Sequence, residues 1–180
     1  MRRGVLVVGM VSIFAGVVAL CSLGRVWADA APATTDYTKV SPTDLVKDTP
    51  KGKLANPYKD TQADIVAEGG KLFLSYSCSG CHGGGGGGGM CPPLINDTWV
   101  YGGDDDTLFR LVTLGSDELQ KHGYTRIGRE NVVGPMPPFG AIVKNSDDLW
   151  KILAWIRSKY NGDPAYKFGA PAAPPEPADP

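Results

Sequence analysis

The stretch Cys78-Ser79-Gly80-Cys81-His82, followed by seven glycines at residues 83–89 and then Met90-Cys91-Pro92-Pro93-Leu94, decides how the rest of the chain reads. Cys78, Cys81 and His82 form a C-x-x-C-H pattern, the signature of covalent c-type haem attachment. Two thiols a turn apart can add to the two vinyl groups of one porphyrin, and the adjacent imidazole is then held beneath the iron. A redox dithiol would need a strand before the motif, whereas the sequence offers a helix. A zinc site would need more Cys or His at suitable spacing, and after residue 28 only Cys91 and His122 remain.

His82 supplies one axial ligand, so a second is sought on the opposite face of the iron. Met136 is the candidate, in Gly134-Pro135-Met136-Pro137-Pro138-Phe139, where prolines stiffen the loop that must deliver a weakly binding thioether. Met also serves as a buried gap-filler, but a Met enclosed by three prolines outside any helical pattern is a poor core position. Met90 is too near the motif, across a flexible glycine run. His122, in a Lys-His-Gly-Tyr loop, is the alternative ligand of a bis-histidine site. Met/His ligation favours ferrous iron and fills both axial positions, which suits electron transfer and leaves no open position for oxygen or peroxide. Without Met136 as ligand, a gas-sensing or peroxidase role becomes the reading.

Around the motif lie three helical patterns. The first opens at Thr61, with Asp64 three residues on as in a capping box, and runs to Ser75 with Ile65, Leu72 and Phe73 on one face. The second is announced by Asp104, Asp105 and Asp106, which suit the partial positive charge of a helix N-terminus, and ends at Gly115. The third has Ser146 as its cap, repeats Leu149, Ile152, Leu153, Ile156 and Tyr160 at helical spacing, and ends at Gly162. No alternation of polar and apolar residues and no internal repeat is visible. The expectation is an all-α domain over residues 61–163, three or more helices around one covalent haem, with long loops.

The flanks read differently. Met1-Arg2-Arg3 and an apolar run over residues 5–23 have the shape of a secretory signal, with cleavage after Ala28. An uncleaved segment would instead anchor the protein in a membrane. Cleavage removes Arg2, Arg3 and Arg25 and leaves 15 basic against 19 acidic residues, a formal charge of −4. Such a balance lacks the clustered basic surface expected of a nucleic-acid binder. Residues 29–60 read as an extended N-terminal arm, pinned to the domain by Tyr37, Val40 and Leu45. Residues 164–180 read as a Pro/Ala-rich tail, disordered from Phe168. The 24 Gly and 15 Pro of the chain fall largely in these loops and tails, so the packed core is smaller than 180 residues suggest.

Taken in order, Glu68-Gly69-Gly70-Lys71-Leu72-Phe73, the C-x-x-C-H motif, Pro92-Pro93-Leu94, Gly134-Pro135-Met136-Pro137 and Leu153-Ala154-Trp155-Ile156-Arg157 resemble the class I cytochromes c over roughly residues 61–163. More narrowly, the chain is similar to the methanol-metabolism-related c-type cytochromes, relatives of cytochrome cL. The resemblance implies a periplasmic electron carrier, not an enzyme, that takes electrons from a pyrroloquinoline quinone (PQQ) methanol dehydrogenase and passes them to a downstream cytochrome c. It implies that Gly69 lies where the first and last helices cross, facing Trp155, and that the Phe73–Trp155 region floors the haem. It also implies that Pro92 offers its carbonyl to the free nitrogen of His82. Calcium near the haem propionates is left open. An electron carrier for another dehydrogenase or for an oxidase is the alternative.

Two departures stand out. The glycine run replaces a short polar link and is either a close backbone approach to haem or partner, or a floppy insert. Cys91 stands where the usual motif has Gly and is either buried as a small apolar residue, the favoured expectation, or joined in an intermolecular disulfide. In the long connection over residues 116–133, Lys121, Arg126 and Arg129 could pair with propionates.

Overall fold

The computed structural model describes residues 35–128 and 134–169, so the signal segment, Arg129 and residues 170–180 lie outside the described part. Among the described residues there are helices and no strands. In chain order they are α1 (Pro42–Asp48), α2 (Ala63–Ser75), α3 (Ser79–His82), α4 (Asp105–Lys121) and α5 (Ser146–Ser158), with a 3-10 turn at Pro164–Tyr166. None is long and apolar enough to cross a membrane.

The three expected helices are α2, α4 and α5, with altered ends. Thr61 does not cap α2; the helix starts after Gln62, which makes no side-chain cap bond and accepts the Lys59 N–H at 2.6 Å instead. At α5 the cap is Asn145, whose Oδ1 accepts the Asp148 N–H at 2.8 Å, and Ser146 is a fully buried first helical residue. That helix ends at Ser158, before Gly162, and Tyr160 lies beyond it with its hydroxyl donating to the Asp97 carbonyl at 2.8 Å.

Asp104 does cap α4, accepting the Thr107 N–H at 2.8 Å. Helical geometry stops at Gly115 as read, since this residue takes φ 75° and ψ 167°, a conformation open to glycine and strained for other residues. The chain then makes a further helical stretch to Lys121, missed in the sequence, that buries Leu119 completely.

The core forms where α2 crosses α5 and where α4 lies against α5. Trp150 of α5 is fully buried and stacks at 4.2 Å on Phe109 of α4, while Trp155 stacks at 4.4 Å on Phe73 of α2. Such contacts combine large apolar burial with favourable ring geometry.

The arm is the main correction, in its described part, residues 35–60. It is not merely extended: Ser41 caps α1 by accepting the Asp44 N–H at 3.1 Å, and Leu45 and Val46 are buried in the core. Two charged side chains of α4 hold it there. Arg110, 6% exposed, donates to the carbonyls of Val46 (3.1 Å), Thr49 (2.6 Å) and Pro50 (3.1 Å), and Asp106, 4% exposed, accepts the Leu54 N–H (3.1 Å). The arm in turn satisfies the start of α5, where the Ser146 and Asp147 amides donate to the carbonyls of Val40 (2.8 Å) and Tyr37 (3.1 Å). Helix termini carry amides without intrahelical partners, and here the arm supplies them. The core therefore draws on a longer stretch than 61–163.

The tail also starts ordered. Asp163 caps the 3-10 turn, Lys167 pairs with Asp60, and the Arg157 guanidinium lies 4.6 Å over the Phe168 ring.

Candidate haem-binding site

The C-x-x-C-H motif forms α3 and its N-cap residue, Cys78, and follows α2 through a tight turn in which Ser77 takes φ 61°. The Cys78 N–H donates to the Phe73 carbonyl at 3.1 Å, so the motif is fastened to the end of α2. This short helix presents Cys78 and His82 to a cavity of about 370 Å³.

The glycine run is folded back on α3 rather than floppy. The Gly88 N–H donates to the His82 carbonyl (2.9 Å), the Cys91 N–H to the Cys81 carbonyl (3.1 Å) and the Leu94 N–H to the Gly86 carbonyl (2.7 Å). This return path brings Pro92 beside the histidine, with 2.9 Å between His82 Nδ1 and the Pro92 carbonyl oxygen. A carbonyl can only accept, so Nδ1 carries the hydrogen and the neutral ring keeps its lone pair on Nε2. Burial pushes the His82 imidazole below the ordinary histidine value, with the Pro92 carbonyl opposing, which keeps the ring neutral and able to bind metal. Burial pushes the Cys78 thiol up to about 11, so it is an S–H group near neutral pH. Cys81 is half-buried. Cys91 is half-buried rather than fully buried and lines the cavity; burial, then the Cys81 side chain, raises its thiol.

Met136 lines the same cavity as His82. His122 does not: it is 55% exposed in its side chain, and its Nδ1 lies 2.9 Å from the Glu118 carbonyl. Met90 is 62% exposed and also lies outside the cavity lining. Phe73 lines the cavity, and Trp155 stands behind it, so the expected floor is one ring deep on this side. Of the three cations in the 116–133 connection, Arg126 lines the cavity, Lys121 pairs with Glu118 at 2.9 Å on the surface, and Arg129 is outside the described residues.

Two contributors were missed in the sequence. Trp99 lines the cavity, 7% exposed, and its indole N–H donates to the Leu94 carbonyl at 2.8 Å. It falls outside any helical period, and an isolated large aromatic beyond the Pro-Pro-Leu turn was the only signal available. Ser116 also lines the cavity, hidden in the sequence behind the glycine that ends the first part of α4.

The residues present fit a haem. Cys78 and the neutral His82 imidazole face a largely aliphatic and aromatic cavity that is also lined by the Met136 thioether, and Cys81, half-buried, lies between them on the same short helix. Among the described residues no group of three or more His, Cys, Asp or Glu side chains is placed to hold a metal ion by itself. The all-helical fold and this donor set define a class I c-type cytochrome.

The chain belongs to the family described as cytochrome c oxidase, cbb3-type, subunit III, whose model matches residues 64–156, just over half of the sequence. It is 35% identical over 57 residues to a cbb3-type cytochrome c oxidase subunit CcoP of Azospirillum brasilense, a match covering 28% of this chain and 19% of that protein. The chain thus spans about a fifth of that curated relative. Among solved structures it is similar to cytochrome cL of the marine methylotrophic bacterium Methylophaga aminisulfidivorans, at 24% identity and TM-score 0.49 over 77% of each chain. It is also similar to cytochrome cL of Hyphomicrobium denitrificans, at 29% identity and TM-score 0.47 over 73% of this chain and 70% of that one. Membership makes residues 64–156 a cytochrome c domain and implies covalently bound haem c. Carriers of this class are generally not enzymes.

Proposed function

We propose that the protein is a periplasmic mono-haem carrier that takes single electrons from a PQQ-dependent methanol dehydrogenase and passes them to a downstream cytochrome c. The observation that carries the reading is one cavity lined by Cys78 and His82 and, on a separate loop, by Met136. In this reading Cys78 and Cys81 would hold the haem covalently, and His82 and Met136 would bind its iron. Bound haem c supplies one-electron exchange between ferric and ferrous iron. Pro92 fixes the orientation of His82, and the aliphatic and aromatic lining limits water at the site. Methanol dehydrogenase as donor is supported by the sequence motifs shared with cytochrome cL relatives. Export is supported by the signal shape of residues 1–28.

A second reading, favoured by the family match, gives the carrier a terminal oxidase as its immediate acceptor. Stopped-flow absorbance separates the two. The ferric holoprotein is mixed with active PQQ methanol dehydrogenase and methanol, and separately the ferrous holoprotein is mixed with a cbb3-type oxidase. Fast, saturable haem reduction in the first experiment is the expected result. A haem that stays ferric there, yet accepts electrons from a chemical reductant, removes methanol dehydrogenase as donor; rapid oxidation in the second experiment then makes the oxidase reading the better one.

A further inference from the structure

We infer that Ser116 is the positioning residue for Met136, and that the break at Gly115 exists to receive the methionine loop. The inference rests on the reading of Met136 as an axial ligand.

In an unbroken helix the Ser116 N–H would donate to the Val112 carbonyl, four residues back. Gly115 turns the chain out of helical geometry, and the Ser116 N–H donates instead to the Met136 carbonyl at 3.0 Å. The Met136 N–H returns the bond to Ser116 Oγ, also at 3.0 Å. One serine therefore satisfies both backbone groups of Met136. The carbonyls released by the break are taken up by the same loop: the Phe139 N–H donates to Val112 at 2.9 Å and the Gly140 N–H to Thr113 at 3.1 Å. Residues 136–140 thus cap the broken helix, which fixes the loop backbone on a rigid element.

Space is matched as closely as hydrogen bonding. A Cβ on Gly115 would lie 2.7 Å from the Met136 carbonyl oxygen and 2.9 Å from the Pro138 nitrogen. Ser116 is 7% exposed, so the hydroxyl bond is shielded from competing water. A thioether binds ferric iron weakly, and the loop prolines limit flexing without fixing where the loop sits. The Ser116 hydroxyl fixes that position directly at the ligand's own amide.

The test uses ferric holoproteins and two readouts: the concentration of added imidazole that half-displaces the methionine, and the methionine-sulfur-to-iron charge-transfer band at the red edge of the visible spectrum. Four proteins are compared: native, Ser116→Ala, Met136→Ala and Thr113→Val. Thr113→Val removes another buried hydroxyl of α4, one that donates to the Phe109 carbonyl at 2.8 Å, and keeps the backbone carbonyl that accepts from Gly140 of the loop. Loss of one shielded hydrogen bond predicts that Ser116→Ala binds imidazole at about tenfold lower concentration with a weakened band. Thr113→Val should match the native protein in both readouts, whatever its thermal stability. Ser116→Ala with native imidazole affinity and a native band, or Thr113→Val shifting as far as Ser116→Ala, overturns the inference. If Met136→Ala keeps the native band and affinity, the Met136 reading is what fails.

Discussion

Gly69 of α2 and Lys151 of α5 meet backbone to backbone: a Cβ on Gly69 would stand 2.0 Å from the Lys151 carbonyl oxygen and 3.1 Å from Trp155 Cβ. The two helices that flank the site can approach this closely only because residue 69 has no side chain. The motif helix α3 hangs from the end of α2, and α5 contributes Ile152, Leu153 and Ile156 to the cavity wall. This crossing therefore sets the spacing of two walls.

Gly69→Ala must separate α2 from α5, because the obstructing atom is backbone and cannot rotate away. Overpacking of this kind costs about 1–3 kcal/mol, and this contact should fall at the upper end or above it. Gly70→Ala meets the ring of Trp155 at 2.8 Å, a side chain that can yield, and should cost less. Denaturant unfolding of the two holoproteins checks the order; equal midpoints for Gly69→Ala and the native protein would contradict the crossing.

Asp106 and Arg110 form a buried pair at 2.9 Å that also ties down the N-terminal arm, since Asp106 accepts from Leu54 and from the Tyr124 hydroxyl at 2.5 Å. Asp106→Asn leaves the Arg110 charge without its partner and should destabilise the fold by about 3–5 kcal/mol. The pH dependence has a definite sign. Burial pushes the Asp106 carboxyl up, but Arg110, Tyr124 and the Gly52 and Leu54 amides together outweigh it and hold it below the ordinary aspartate value. A depressed carboxylate stabilises the fold fully above its unfolded value, about 3.9, and that contribution is lost as pH falls through the lower folded value. Denaturant midpoints measured between neutral and acid pH should show native and Asp106→Asn converging as the solution is acidified. A constant gap over that range would contradict the assignment.

The cysteines are predicted to divide by role. Cys78→Ala and Cys81→Ala should each lose one thioether, while Cys91→Ser should keep both, because Cys91 reaches the cavity from the segment that returns after the glycine run rather than from α3. Intact mass before and after acid-acetone extraction checks this. Haem extractable from Cys91→Ser would show that Cys91 takes part in attachment.

Much of the site was legible because its chemistry is local. Cys78, Cys81 and His82 lie within five residues, and their reading needed no tertiary information. Pro92 and Gly69 were singled out through the family resemblance; the Pro92 carbonyl lies 2.9 Å from His82 Nδ1, and Gly69 meets the Lys151 backbone. What escaped was whatever depends on long-range pairing. Asp104, Asp105 and Asp106 read alike as helix-start acids, yet only Asp104 caps the helix. Asp105 pairs with Arg157, and Asp106 is buried with Arg110. Composition cannot separate three consecutive aspartates that the helix turns in different directions. The arm misread as extended has the same origin: seven residues give α1 little periodicity, and its stability comes from Arg110 and α5, far away in sequence. Ser116 was read as the start of a loop because Gly115 does end a helix, and nothing local reveals that another helical stretch follows.

In the proposed reading His82 and Met136 would together leave the haem iron no open position. Carbon monoxide titration of the ferrous holoprotein at neutral pH, followed in the Soret region, tests it most directly, with Met136→Ala alongside. The native protein should leave its spectrum unchanged, while Met136→Ala binds the gas and shifts. Ready binding of carbon monoxide by the native protein would overturn the Met136 ligation and make the site an open one, suited to sensing or peroxide chemistry instead of electron carriage.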